Sequence, residues 1–458
     1  MKNLRNHRKY AWAAGMLTVC CLLMASLSHA AIEGIAGPSF TLTATTGYVV
    51  TSDGDSFLFW GYAAPNSNNG QMQYPGPTLI VNEGDVVTVT LTNSLPQNTS
   101  IVFPGQKVTA AGGVPGEIAQ EAAPGAQVTY TFTATHPGTY LYRSGTRADL
   151  QVEMGLLGAL IVRPAMGAGF AYNHPDTQFD REFLLVITEM NPTIHRFTEL
   201  GLMHLVNTSN NRATNWFANG RNFPDNMAEP LVPWLPNQPY NFVPRMHPGE
   251  KVLIRSVGAG NDLHPFHYHG NDIEVIGVDG RMLSTGAGRG PNLAWRAATR
   301  RTVPGQTADV IWTWSAEKLG WDIYDHQPGI VYPRADINAA WPGSVCDNFD
   351  PLTFDPDNPP ADQFVFDTYT YEYCPDHGVQ FPVILPQRDS LSFGDFYAGT
   401  PFLGGEGNLA PGDAGLNSTA GYFFMWHSHT EKELTSNDIW PGGLVTFMIV
   451  EHPRVAID

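Results

Sequence analysis

"PTLIVNEGDVVTVTLTNSLP", residues 77–96, decides the class of fold this chain builds. Its second half alternates Val87, Val89 and Leu91 with Thr88, Thr90 and Thr92, and a two-residue period sends each set to its own face of a strand. Asn82-Glu83-Gly84-Asp85 before this run and Asn93-Ser94-Leu95-Pro96 after it are turn chemistry. Working outward, "FTLTATTGYVV" (40–50), "AQVTYTFTATHPGTYLYR" (126–143) and "LLGALIVRP" (156–164) repeat the pattern, which predicts a β-sandwich over residues 38–165. A second series runs through "REFLLVITEMNP" (181–192), "NWFANGRNFPD" (215–225), "EKVLIRSVGAGNDLHPFHYHGNDIEVIGVDG" (250–280) and "RTVPGQTADVIWTW" (301–314). The rhythm then lapses in a stretch rich in Asp, Pro and Gly, and returns in "GYFFMWHSH" (421–429) and "GLVTFMIVE" (443–451). The expectation is an all-β chain with a second sandwich over 178–452, whose last hairpin follows a long insertion at about 316–420. That insertion has too little apolar periodicity to predict a third domain.

The chain opens with a basic run, Lys2 to Lys9, an apolar stretch and Ser28-His29-Ala30, the layout of a secretory leader (1–30) cleaved after Ala30. A lipidated start fits less well, because Val19 rather than a small residue precedes Cys20. Nothing later is long and apolar enough to span a bilayer, so the expected product is exported and soluble, in a periplasm or outside the cell. The leader holds four of the 25 basic residues and none of the 43 acidic ones; the remainder carries 21 against 43, a net of −22. An excess of acid on that scale excludes nucleic acid as a natural partner. Beyond the leader stand two cysteines, Cys346 and Cys374, and in an exported chain a single bridge between them is the ordinary reading, contributing on the order of 3 kcal/mol.

The chemistry is concentrated in "HPFHYHG" (264–270) and "WHSHT" (426–430). On extended chain His267 and His269 project together, as do His427 and His429, so pairing of the two strands would bring four imidazoles to one place. A single buried histidine is more often a packed core residue, but two separate His-x-His pairs argue for a metal. Imidazole suits copper, zinc, iron and nickel, with copper highest in the usual order of affinity. His136, His326 and His377 stand alone and read as structural or exposed. The acidic "DNFDPLTFDPDNPPADQ" (347–363) lacks the spacing of a calcium loop and reads as a solvated, proline-stiffened segment. Asn98, Asn207 and Asn417 fit the glycosylation pattern.

These segments resemble the multicopper oxidases, the cupredoxin-fold family of laccases and bilirubin oxidases. "YPGPTLIVNEGDVVTVTLTNSLP" (74–96) is similar to the family's opening domain. Residues 249–280 match its H-P-x-H-x-H-G segment, and "FFMWHSHT" with "GGLVTFMIV" resembles its closing H-C-H segment. The resemblance implies two cupredoxin-like Greek-key sandwiches, copper as cofactor and oxidoreductase chemistry on a small molecule or metal ion that the sequence does not identify. One ion per chain is expected, with zinc as the alternative. By analogy with two-domain relatives it also implies a homotrimer. His267, His269, His427 and His429 fall at ligand positions of the family's trinuclear cluster. His264 falls at a ligand of its mononuclear blue-copper centre and is carried as a fifth metal or supporting residue.

The chain departs from the pattern where copper chemistry depends on it. Ser428 stands where the family has the blue-copper cysteine, and a hydroxyl supplies no soft thiolate. The second histidine of that centre is missing as well; after three intervening residues, the position following His429 is Glu433. In the first domain Val102-Phe103-Pro104-Gly105 replaces H-W-H-G and Arg143-Ser144-Gly145 replaces H-S-H, which removes four of the eight expected cluster histidines. The leading expectation is a copper-binding, exported family member with a residual His-x-His/His-x-His site and doubtful dioxygen reduction. Against it stand a non-redox binding or structural protein on the same scaffold, and a chain completed by a partner that supplies the missing ligands. No general base or nucleophile is identifiable.

Overall fold

The computed structural model describes residues 32–314 apart from 248, residues 421–451 and 456–457, and a few short stretches between 333 and 402. The leader, Cys346, His326, His377, Asn417 and most of the 316–420 insertion lie outside the described residues; Cys374 is described and buried.

Strands between Ile35 and Arg163 build two sheets. One has four strands in the order Ile35–Ala36, Leu79–Asn82, Leu157–Arg163, Gly138–Arg143. The other has six, with Val86–Asn93 lying between Ser39–Val50 and Gln127–Thr133. Val87, Val89 and Leu91 are buried while the intervening threonines stay partly exposed, the burial their alternation demands. Tyr130 and Phe132 of the neighbouring strand, and Tyr142 and Leu160 of the four-stranded sheet, pack into the same core.

From Arg181 onward a seven-stranded sheet has Arg181–Met190, Lys251–Gly258, Thr307–Thr313 and Ile273–Val278 as consecutive neighbours. It faces a six-stranded sheet in which His264–Tyr268 lies between Thr299–Thr302 and Gly421–Ser428, and Val445–Val450 closes a hairpin with the latter. Trp312, Trp314, Trp426, Phe424 and Phe266 form the core between these sheets. The fold is therefore all-β, two layers twice over.

The two halves meet through an apolar seam in which Phe59, Tyr74, Leu141 and Ile161 pack with Leu184, Val186, Phe217 and Val257. Within it the Tyr74 hydroxyl donates to Thr188 Oγ1 at 2.6 Å. Arg255, fully buried, donates to Glu182, to Asp309 Oδ1 at 3.2 Å and to Thr139 Oγ1 at 3.2 Å, so its charge is matched on both sides.

Candidate metal centre

The register of two strands sorts the histidines. His267 lies directly opposite His427 and Phe266 directly opposite Ser428. Opposed residues share a face and neighbours alternate, so His267 and His427 point to one side of the sheet while Phe266, Ser428 and, two residues earlier, His264 point to the other. Phe266, Ser428 and His264 are each no more than 1% exposed, on the core side.

On the outer side four rings gather. Ring centroids are 4.4 Å apart for His267–His429, 4.8 Å for His267–His269 and His427–His429, 5.2 Å for His269–His427 and 5.6 Å for His267–His427. His269 and His429 sit just past their strands, held where the His269 N–H donates to the Met425 carbonyl and the His429 N–H to that of Pro265. The outer rims of three rings are engaged: His427 Nδ1 lies 2.7 Å from the Ser428 carbonyl oxygen, His267 Nδ1 2.7 Å from Thr299 Oγ1, and His429 Nδ1 3.3 Å from Glu431 Oε1. A proton on Nδ1 is the tautomer in which Nε2 carries the lone pair, the form in which such imidazoles bind a metal.

One pair of nitrogens has the spacing of two metal ligands. His269 Nε2 and His427 Nε2 are 3.2 Å apart, and two imidazoles bound tetrahedrally at metal–nitrogen distances of about 2.0–2.1 Å would hold their nitrogens about 3.3 Å apart. Among the described residues no three His, Cys, Asp or Glu side chains are grouped so as to hold a metal ion as they stand. Burial lowers the His267 pKa to about 3, helped by its three imidazole neighbours, and burial likewise lowers that of His427. The His267 ring is thus neutral, the ligating form, across the ordinary pH range, and His427 is shifted the same way.

His264 does not join this group. Its Nδ1 lies 2.9 Å from Glu433 Oε2 and its Nε2 3.0 Å from Glu189 Oε2, so both nitrogens are taken by carboxylates and neither faces the quartet. Its place beside the other four as a metal residue is corrected on that ground: the alternation of the strand carries it to the opposite face. Desolvation alone would lower its pKa; the hydrogen bonds to Glu189 and Glu433 outweigh that and raise it to about 9. Glu189 also accepts the backbone N–H groups of Asn261 and Asp262. A Cβ on Gly260 would meet the Glu189 carboxylate, which would have to move to admit it. Glu189, Thr299 and Glu431 were missed in the sequence; a glutamate inside the apolar run "FLLVITEM" (183–190) was the one signal for the first.

The first half offers no matching ligands. Val102 and Arg143 form an isolated bridge, and the Arg143 guanidinium donates to the Ser144 carbonyl at 2.9 Å. A side chain at Gly145 would run into Val102 Cγ1 at 2.6 Å and Ile118 Cγ1 at 3.1 Å. The space has closed, and Ser100, Thr146, Glu121, Ser144 and Gln151 fill it with a hydroxyl, amide and carboxylate network.

Comparison with known proteins bears most directly on the first half of the chain. A sequence model of the multicopper oxidase family matches residues 67–166. The multicopper oxidase VdtB of Byssochlamys spectabilis is 41% identical over 118 residues, 24% of this chain and 17% of that protein. By the first of these matches residues 67–166 are similar to a multicopper oxidase domain. Laccase abr2 of Aspergillus fumigatus is 40% identical over 115 residues, 23% of this chain and 19% of the relative. These matches span less than a fifth of those relatives' length. Across the whole fold, the blue copper oxidase of Nitrosomonas europaea superposes with a TM-score of 0.51 at 17% identity, covering 90% of this chain and 85% of its own. The multicopper oxidase mgLAC gives 0.52 at 19% identity over 93% and 88%. The two double-layered units are cupredoxin-like multicopper oxidase folds, and copper is the cofactor the family implies. Among the described residues no helix is long and apolar enough to cross a membrane.

Proposed function

We propose that this multicopper oxidase relative is exported and holds one metal ion, copper before zinc, in the quartet His267, His269, His427 and His429, and that it lacks an ordinary dioxygen-reducing cluster. The observation that carries the reading is the 3.2 Å approach of His269 Nε2 to His427 Nε2, in a group of rings whose outer nitrogens are engaged elsewhere. Copper bound there would supply one-electron redox or Lewis-acid chemistry. The chain's part is to keep the rings neutral, aim their Nε2 atoms inward and leave one side open, since the His429 side chain is 44% exposed. Ser428 lies on the core face, so no thiolate carries electrons to the site. The disulfide-bonded state of Cys374 supports the reading of an exported protein.

The closed, histidine-free surface around Val102, Arg143 and Gly145 favours a second reading, a binding or structural protein without redox turnover. Copper loading followed by dialysis separates the two. One copper per chain, lost in the His267→Ala/His427→Ala variant and without an intense blue band, supports the site. Wild-type protein free of both copper and zinc would overturn it and leave the binding class.

A further inference from the structure

At the position that resembles the family's mononuclear copper ligand, this chain places one imidazole between two carboxyl groups. His264 sits on the core face of its strand, 1% exposed, with Glu189 of the Arg181–Met190 strand against one ring nitrogen and Glu433 of the short 3-10 turn Glu431–Leu434 against the other. A neutral imidazole donates through one nitrogen only, so two carboxylate partners are both satisfied only if the ring is doubly protonated. The other charged groups around it are Asp262 on its own segment and Lys432 in the turn; Glu153, beyond Glu189, is pushed up to about 8, first of all by burial, and keeps its proton at neutral pH. The positive ring thus meets two adjacent acceptors in a region where an unmatched carboxylate would be costly to bury.

The turn it grips also serves the outer site. Glu431, two residues before Glu433, is the partner of His429 Nδ1, and His429 is the most exposed of the four rings. The Leu444 N–H to Glu433 carbonyl bond and the Glu433 N–H to Thr430 carbonyl bond make the turn one compact unit. We propose that His264, held as an imidazolium between Glu189 and Glu433, is a metal-free pin that takes the mechanical place of the mononuclear ion and, through the 431–434 turn, positions His429. His264 is then a positioning residue for the quartet, and this role rests on the quartet being the metal site.

Histidine ring signals of 15N-labelled, chelator-treated protein test the pin without any metal. At roughly pH 8, above the ordinary histidine range, His264 should show two slowly exchanging ring N–H groups in wild type and one in Glu433→Gln, and the His429 ring signals should shift in that variant. A single ring N–H on His264 in wild type, or His429 signals indifferent to Glu433→Gln, would overturn the proposal. Copper titration of the same samples then reads the consequence: about a tenfold loss of affinity in Glu433→Gln, the scale of outer-shell effects at metal sites. Unchanged affinity would overturn the positioning role. Absence of copper binding in wild type would instead remove the quartet as a metal site, while the ring signals still decide the pin. If Glu433→Gln does not fold, Glu189→Gln removes the opposite partner and should likewise leave one ring N–H on His264.

Discussion

His264 and His267 are three residues apart on one strand and end in opposite chemical states. One faces the core between two carboxylates, and its pKa rises to about 9; the other faces outward among imidazoles, and its pKa falls to about 3. Burial pulls both downward, so the partners decide. An acceptor on each nitrogen keeps the proton, whereas burial beside like groups expels it and frees a lone pair. The same motif therefore supplies a fixed cation on one face of the sheet and candidate ligands on the other.

The largest test of that contrast is removal of the cation. His264→Ala should destabilise chelator-treated protein by about 3–5 kcal/mol in chemical denaturation, because two buried carboxylates lose their partner. A cost below about 1 kcal/mol, the range of an exposed ion pair, would break the comparison.

The two histidines should also impose opposite pH slopes. For His264 the folded value lies above the unfolded one, so its contribution is complete below about pH 6.5 and disappears as pH rises through about 9; the shift corresponds to about 3 kcal/mol. For metal-free His267 the unfolded chain takes up a proton first, and stability is lost as pH falls from about 6.5 towards 3. Denaturation midpoints of wild type, His264→Ala and His267→Ala across this range would show the two limbs separately; a single limb shared by both variants would refute the assignment.

Copper should restore what the crowding of the quartet costs. At a hundredfold excess over its dissociation constant, copper should raise wild-type stability by about 2.7 kcal/mol and leave His267→Ala/His427→Ala unmoved. An equal rise in both would place the metal elsewhere. The smallest effect belongs to the exposed support: Glu431→Gln should weaken copper by about tenfold or less, and Thr299→Val, which removes a more buried partner of His267, by somewhat more. The reverse order in copper titrations would mean that His429, not His267, is the better-anchored ring.

Much of this was legible in the residues. Val87, Val89 and Leu91 against three threonines prescribe a half-buried strand, because a period of two has only one structural meaning. His-x-His twice over gave the four rings, and Ser428 and Glu433 showed that the blue-copper ligands are gone. Less visible was the fate of His264, since its partner Glu189 lies 75 residues away in sequence and lines up with it only through the packing of two sheets. Thr299 and Glu431 escaped for the same reason: an isolated threonine or glutamate has no pattern.

By itself the sequence determined the all-β class, the positions of the strands and which imidazoles share a face, since these follow from alternation along the chain. The tertiary structure alone decided that His267 stands opposite His427, that a side chain at Gly145 has no room, and that Glu433 reaches His264 instead of replacing it. Strand register and the meeting of distant carboxylates with one ring depend on how sheets pack against each other, and no local spacing records that.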